Sequence, residues 1–332
     1  MSMNTYQINY SSKNITPPLN WHYYLTHYVF EPWRHEGNSL VRLFNFPSGK
    51  LALVKINFAG TTQKPQATLF IQSHTALSNS DKNWIKDLIA WCFDFQGDVS
   101  QFYDLICQKD PVLKAASAEL YGAKLRTDPD VFESIIGVVV AQNVQFQRIY
   151  TMLKLLCQNF GDQEEYSGQT YFTFPSPQIL ARAPLAKIRA CKVGYRDKYI
   201  KGIAEYLIKN KIDLNKLHQI KDTDKVRQEL IKLPGVGPYT ADLTLAIGFR
   251  RPSFHLDLFS REAMYTFYFN GKKVSDPKII GFVDKRWGKW KHHAMLLLTT
   301  NTHEWAQKLG IPFRLKSAAK NVTNPPLASQ LD

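Results

Sequence analysis

Leu233-Pro234-Gly235-Val236-Gly237-Pro238-Tyr239-Thr240-Ala241-Asp242 is the stretch whose reading decides the fold of this chain. A helical pattern over Thr223–Lys232 runs into Leu-Pro-Gly-Val-Gly, and a second helix starts at Pro238. Proline suits a first helical position, where its missing N–H costs nothing. Two glycines two apart let the backbone turn tightly and approach a ligand with no Cβ in the way. The free N–H groups that open the second helix then face outward, where a phosphate can accept them. Lys225, Arg227 and Lys232 flank the turn and add positive charge. A bare Gly-x-Gly is more often an ordinary corner between helices, but the whole ten-residue string is far more specific.

On its amino side the chain changes character twice. Segments Leu40–Asn45, Leu51–Phe58 and Ala67–Gln72 are rich in β-branched and aromatic residues, separated by Pro47-Ser48-Gly49 and Gly60-Thr61-Thr62. They predict an antiparallel sheet. From Asp81 the helical period takes over, first in Ile85, Leu88, Ile89 and Cys92, then in Val131, Ile135, Val138 and Val139. Further helical patterns follow, among them Gln147–Phe160, Lys198–Lys209, Leu258–Tyr268 and His293–Lys308, and no long β pattern returns. The expected class is α+β: a small amino-terminal antiparallel β-sheet domain with a helical linker over residues 1–110, a mostly α-helical body over 111–315, and a loose tail over 316–332.

Composition narrows the function classes. The 332 residues are 44% hydrophobic and carry a net charge of +14, with a pI near 9.5. That supports a large core and favours a polyanionic partner, because each cation placed on a phosphate releases condensed counterions. The longest apolar stretch, Ile135–Ala141, is far shorter than the roughly 18 residues of a membrane span, so none is expected. The first twenty residues lack a secretory pattern. Cys92, Cys107, Cys157 and Cys191 include no Cys-x-x-Cys pair, which argues against a zinc site and against disulfides. Buried thiols in a reducing, cytoplasmic compartment are the expectation, with no metal and no cofactor.

The ten-residue string resembles the helix-hairpin-helix (HhH-GPD) DNA glycosylase superfamily, and the likeness is wider than the hairpin. Tyr121-Gly122-Ala123-Lys124-Leu125-Arg126, Asp128-Pro129-Asp130-Val131-Phe132-Glu133 and Ala141-Gln142-Asn143 look like the helices that open its catalytic body. Gly194-Tyr195-Arg196-Asp197-Lys198-Tyr199-Ile200 looks like the loop that enters the DNA stack, and Trp287-Gly288-Lys289-Trp290 begins a segment similar to its last helix. Residues from about 110 to 310 are covered. The resemblance implies that Leu233, Gly235, Val236, Gly237, Tyr239 and Thr240 hold a DNA backbone. It also implies a catalytic aspartate about twenty residues downstream, at a helix start. The matching residue is Asp257, in Phe254-His255-Leu256-Asp257-Leu258-Phe259-Ser260-Arg261. A plain helix N-cap is the bland reading of Asp257, and both can hold at once.

Departures from the family are as informative. Bifunctional members carry a lysine directly before the position matched by Thr240, where this chain has Tyr239. Tyrosine cannot form an imine, so a monofunctional enzyme that uses water is implied. The four-cysteine iron–sulfur loop is absent, which sets aside the endonuclease III and adenine-mismatch branches. Of the remaining two, the 3-methyladenine glycosylase II branch fits the missing lysine and Phe259. The 8-oxoguanine branch fits Asn143, Arg148 and Tyr195. The resemblance makes Asn143, Arg148, Tyr195 and Arg196 candidates to fill the gap left by an extruded base, and Tyr239, Trp287 and Trp290 candidate pocket walls. It implies double-stranded DNA with damaged bases as the partner of a monomer, nucleoid-associated in a prokaryote. A non-enzymatic DNA-binding protein would keep the hairpin but need no aspartate at this spacing. A nuclease would want clustered carboxylates, and Asp222, Asp224 and Asp242 show no metal-ligand pattern.

Overall fold

The computed structural model describes residues 3–313, so the tail expected over 316–332 lies outside the described residues. Five strands, β1 (Asn4–Tyr10), β2 (Arg34–Glu36), β3 (Ser39–Asn45), β4 (Leu51–Thr61) and β5 (Lys64–Ser73), form an antiparallel sheet in the order β1-β5-β4-β3-β2. Burial alternates along β5, with Ala67, Leu69 and Ile71 inward, as a sheet with one solvated face requires. Strand β3 breaks this rule and is buried on both faces. Leu40 and Phe44 enter the main core, while Val41 and Leu43 lie against Tyr166 and Tyr171.

Those tyrosines belong to a hairpin, β6 (Gln163–Tyr166) and β7 (Gln169–Phe172), inserted in the otherwise helical body. The sequence reading missed it. Its turn, Ser167-Gly168, has positive φ at both residues (51° and 78°), the left-handed pair that matches strand twist. Four-residue strands are too short for alternation to stand out.

The helices divide between two cores. The first joins the inner face of the sheet to helix Asn79–Cys92 and to the last four helices, Leu258–Tyr268, Asp276–Trp287, Lys291–Thr299 and Thr302–Lys308. The second is the middle of the chain: Val131–Ala141, Phe146–Phe160, Asp197–Lys209, Thr223–Ile231 and Pro238–Phe249. The chain leaves the second core at Phe249 and re-enters the first at Phe254. The first core is therefore built from both ends of the described chain, not from residues 1–110 alone. The single helix expected over His293–Lys308 is two helices, broken where Asn301 takes φ 50°, a conformation asparagine tolerates better than most residues.

Two arginines, Arg42 buried and Arg250 half-buried, tie the halves together. Arg42 on β3 donates two hydrogen bonds, 2.7 and 2.6 Å, to the carboxylate of Glu133 on helix Val131–Ala141. Arg250, left-handed at the end of helix Pro238–Phe249, donates to the Trp91 carbonyl and to Thr127 Oγ1, and pairs with Asp94 at 3.3 Å. Planar, fork-shaped donors suit such fixed two-point contacts.

His292 and His293 are buried side by side, ring centroids 4.1 Å apart, with no hydrogen-bond partner on any ring nitrogen among the described residues. Burial lowers the pKa of His292 to about 4 and takes His293 well below its ordinary value. Unfolded histidine takes up a proton near pH 6.5, whereas folded His292 stays neutral until about pH 4 and His293 is held neutral well below 6.5. Their stabilisation is therefore complete above pH 6.5 and lost as pH falls toward 4. Asp128, raised to about 6 by burial and then by Glu133, and Glu31, raised by burial, act in the opposite sense over part of that window, but the lowered histidines outnumber them. The thermal midpoint is expected to drop between pH 7 and 4.5, and a His292→Leu/His293→Leu double variant should flatten that drop. A double variant with the original slope would place the acid sensitivity elsewhere.

Candidate DNA-binding and catalytic site

The hairpin forms where helix Thr223–Ile231 ends and Val236 N–H bonds back to the Leu233 carbonyl at 3.1 Å. Leu233 and Val236 are buried in the second core and anchor the turn. Gly235 has φ 74°, and a Cβ there would sit 2.4 Å from Tyr199 Cγ, so the fold itself demands glycine. Gly237 differs. Its backbone is extended (φ −95°), and a Cβ would meet nothing within 4 Å. No protein atom accounts for glycine at 237, as befits a surface another backbone must approach.

Helix Pro238–Phe249 has no side-chain cap, and the N–H groups of Gly237, Tyr239 and Thr240 have no backbone acceptor among the described residues. They form the unpaired donor end of a helix dipole, suited to a phosphate. The flanking cations contribute less than their sequence position suggests. Arg227 is held by Asp242 (2.6 and 3.1 Å) and Lys232 by Glu229 (2.6 Å), which neutralises two of the three.

Asp257 is the N-cap of helix Leu258–Tyr268. Its Oδ1 accepts the Ser260 N–H at 2.7 Å, and its own N–H donates to Ser260 Oγ at 2.8 Å, a reciprocal capping box. Oδ2 has no hydrogen-bond partner among the described residues, and the residue is partly exposed. Arg261, one turn on, donates to Asp276 instead (2.9 and 2.7 Å). The carboxylate lies on the crossover between the two cores, and aromatic groups from both sense it. Burial, then the Asp257 charge, holds the Tyr239 hydroxyl well above the usual phenol range. Burial raises Tyr28 as well, with Asp257 adding to the effect. Burial lowers His255 against the pull of Asp257 and so keeps that ring neutral near pH 7. The Tyr239 and His255 rings meet edge-on at 5.7 Å.

Tyr28 escaped the sequence reading, since nothing local marks a tyrosine between β1 and β2 as a neighbour of residue 257. It stands in left-handed backbone (φ 56°) beside Phe146, centroids 5.8 Å apart. Gln142 also escaped: its side-chain amide donates to the Gly235 carbonyl (3.1 Å) and to Thr240 Oγ1 (2.9 Å).

The other expected site residues separate into two groups. Asn143, left-handed at φ 48°, and Arg148 are exposed near the start of helix Phe146–Phe160. Tyr195 is 54% exposed and meets Tyr199 edge-on at 6.1 Å. Arg196, expected to enter the gap, is corrected: it is buried, donates to the Gln142 and Val193 carbonyls, and lies against the Tyr195 ring. The expected pocket walls Trp287 and Trp290 are corrected too. Trp287 is buried in the first core against Phe254, Tyr268 and Phe282, and Trp290 packs on Phe102 and His293. Large flat side chains look the same in sequence whether they line a pocket or fill a core. Of the expected walls, Tyr239 is the one that stands beside Asp257.

A family profile described as HhH-GPD superfamily base excision DNA repair protein matches residues 136–289, a span that holds the hairpin and Asp257. This part of the chain is similar to the HhH-GPD superfamily. The chain is 31% identical over 172 residues to a DNA-3-methyladenine glycosylase of Bacillus subtilis, a match covering 51% of this chain and 55% of that protein. The chain thus spans little more than half the length of that relative. It is 26% identical over 252 residues to a probable N-glycosylase/DNA lyase of Methanothermobacter thermautotrophicus, covering 70% of this chain and 78% of the other. The 3-methyladenine DNA glycosylase structure from Archaeoglobus fulgidus superposes with a TM-score of 0.72 over 88% of this chain and 97% of that one. At 20% identity, that likeness is one of fold. No helix among the described residues is long and apolar enough to cross a membrane.

Proposed function

We propose that this protein is a monofunctional HhH-GPD DNA glycosylase that hydrolyses the N-glycosidic bond of alkylated purines in duplex DNA, with Asp257 as its catalytic carboxylate. The observation that carries the reading is the make-up of the ring around Asp257: Tyr239 stands in the lysine's place, with Tyr28 and neutral His255 beside it. Among the described residues no lysine or arginine is ion-paired with Asp257. A site with one carboxylate, aromatic faces and no paired cation suits a positively charged leaving base, which aromatic rings attract by cation–π contact. The target nucleotide rotates out of the stack, at a cost of a few kcal/mol that is least for a damaged base. As the bond to the base lengthens, the sugar gains oxocarbenium character. Asp257 stabilises that charge through its free oxygen and orients or deprotonates the attacking water. The capping box fixes the carboxylate beforehand, so little reorganisation remains. Duplex DNA is the proposed partner, met by a monomer in the cytoplasm or nucleoid.

A second reading, 8-oxoguanine removal, is favoured by the exposed trio Asn143, Arg148 and Tyr195, and a lyase step by the likeness to the N-glycosylase/DNA lyase. Free-base release from methylated DNA and from an 8-oxoguanine:cytosine duplex, measured side by side with and without borohydride, separates the two. Faster release of methylated purines and no trapped protein–DNA adduct are expected. Faster 8-oxoguanine release would reverse the substrate, and a trapped adduct would show that an amine attacks the sugar.

A further inference from the structure

Gln142 is the C-terminal cap of helix Val131–Ala141, and it touches three segments at once. Its side-chain amide donates to the Gly235 carbonyl and to the buried Thr240 hydroxyl, one on each side of the hairpin turn. Its backbone carbonyl accepts from the buried Arg196 guanidinium, which also holds the Val193 carbonyl (3.2 Å) and supports the Tyr195 ring from 4.6 Å. The next residue along the chain is exposed, left-handed Asn143. A single residue therefore links the backbone clamp, the loop that presents Tyr195 and the turn that presents Asn143.

We propose that Gln142 is a positioning residue that couples phosphate binding at the hairpin to insertion of Tyr195 and Asn143 into the base stack. This rests on the glycosylase reading and on those two side chains occupying the gap. The amide fits the task because it spends both N–H donors on the hairpin, while the backbone carbonyl serves Arg196 independently. Movement of the hairpin onto a phosphate pulls on the amide, and through one residue of backbone it shifts both presenting segments. A rigid link of this kind converts sequence-independent binding into base extrusion only when all three segments keep register.

The test uses the full chain with Gln142→Leu, which keeps the length but removes both side-chain bonds, and Thr240→Val, which removes one acceptor. Three quantities are read at one salt concentration: affinity for a duplex holding a tetrahydrofuran abasic site, the fluorescence rise of 2-aminopurine beside a lesion, and single-turnover base release. Gln142→Leu is expected to lower the fluorescence rise and base release at least tenfold, while abasic-site affinity changes less than threefold. Thr240→Val should shift the same two readouts in the same direction by a smaller factor. Equal losses in all three would mean that Gln142 merely props up the hairpin, and unchanged values would mean no coupling; either overturns the proposal. Failure of the glycosylase reading looks different, because wild-type protein would then release no base from any lesion duplex.

Discussion

Asp257→Asn is expected to lower single-turnover base release about a thousandfold, the range seen when a group acting on developing charge is removed, while affinity for an abasic-site duplex stays within a few-fold. The amide keeps the N-cap, since its oxygen can still accept the Ser260 N–H now held at 2.7 Å. What it loses is the negative charge on the oxygen that has no partner in the fold. Binding should survive because the hairpin donors belong to a different helix. Near wild-type turnover in this variant would move the chemistry to another residue.

The second large effect separates the two hairpin glycines. Gly235→Ala is expected to destabilise the fold by about 2–4 kcal/mol, combining a left-handed φ with an overpacked contact. The contact is with the base of the Tyr199 side chain, which cannot swing aside as a flexible end would. DNA affinity should fall with it, equally for damaged and undamaged duplexes, because phosphate contacts carry no sequence information. Gly237→Ala should leave the melting temperature almost unchanged, since its backbone angles suit any residue and its Cβ has room. Its DNA affinity should nevertheless drop about tenfold, equivalent to roughly 1.4 kcal/mol. Wild-type affinity in Gly237→Ala would mean that no phosphate approaches that position.

Much of this was legible in the sequence, for a specific reason. The hairpin, its exposed helix start and the cap at Asp257 are made by residues within a few positions of one another, so local chemistry predicts them. The sheet was legible because β3, β4 and β5 are rich in β-branched and aromatic residues and separated by glycine- and proline-bearing turns. What stayed hidden depends on contacts between distant segments. Tyr28 reaches the site only because two cores meet there, and Gln142 only because helix Val131–Ala141 packs beside the hairpin; no local pattern encodes either meeting. Arg196 looked like a surface cation in a loop, yet it is inside because carbonyls of the surrounding turns needed donors. Trp287 and Trp290 were misplaced because hydrophobic area attracts them to a core and to a ligand alike.

The shared first core also orders the life of the chain during synthesis. Helices from Val131 to Phe249 contain all of the second core and can close while the ribosome is still adding the crossover. The first core cannot complete its burial at that stage, because helices Lys291–Thr299 and Thr302–Lys308, which pack on its helix Pro111–Ser117, have yet to emerge. Helix Pro111–Ser117 is therefore made early and covered late, across a long sequence separation. Such distant closure is slow. A nascent chain halted before residue 254 would carry a folded clamp beside an uncovered helix Pro111–Ser117, a species recognisable by quality-control factors and devoid of the aspartate.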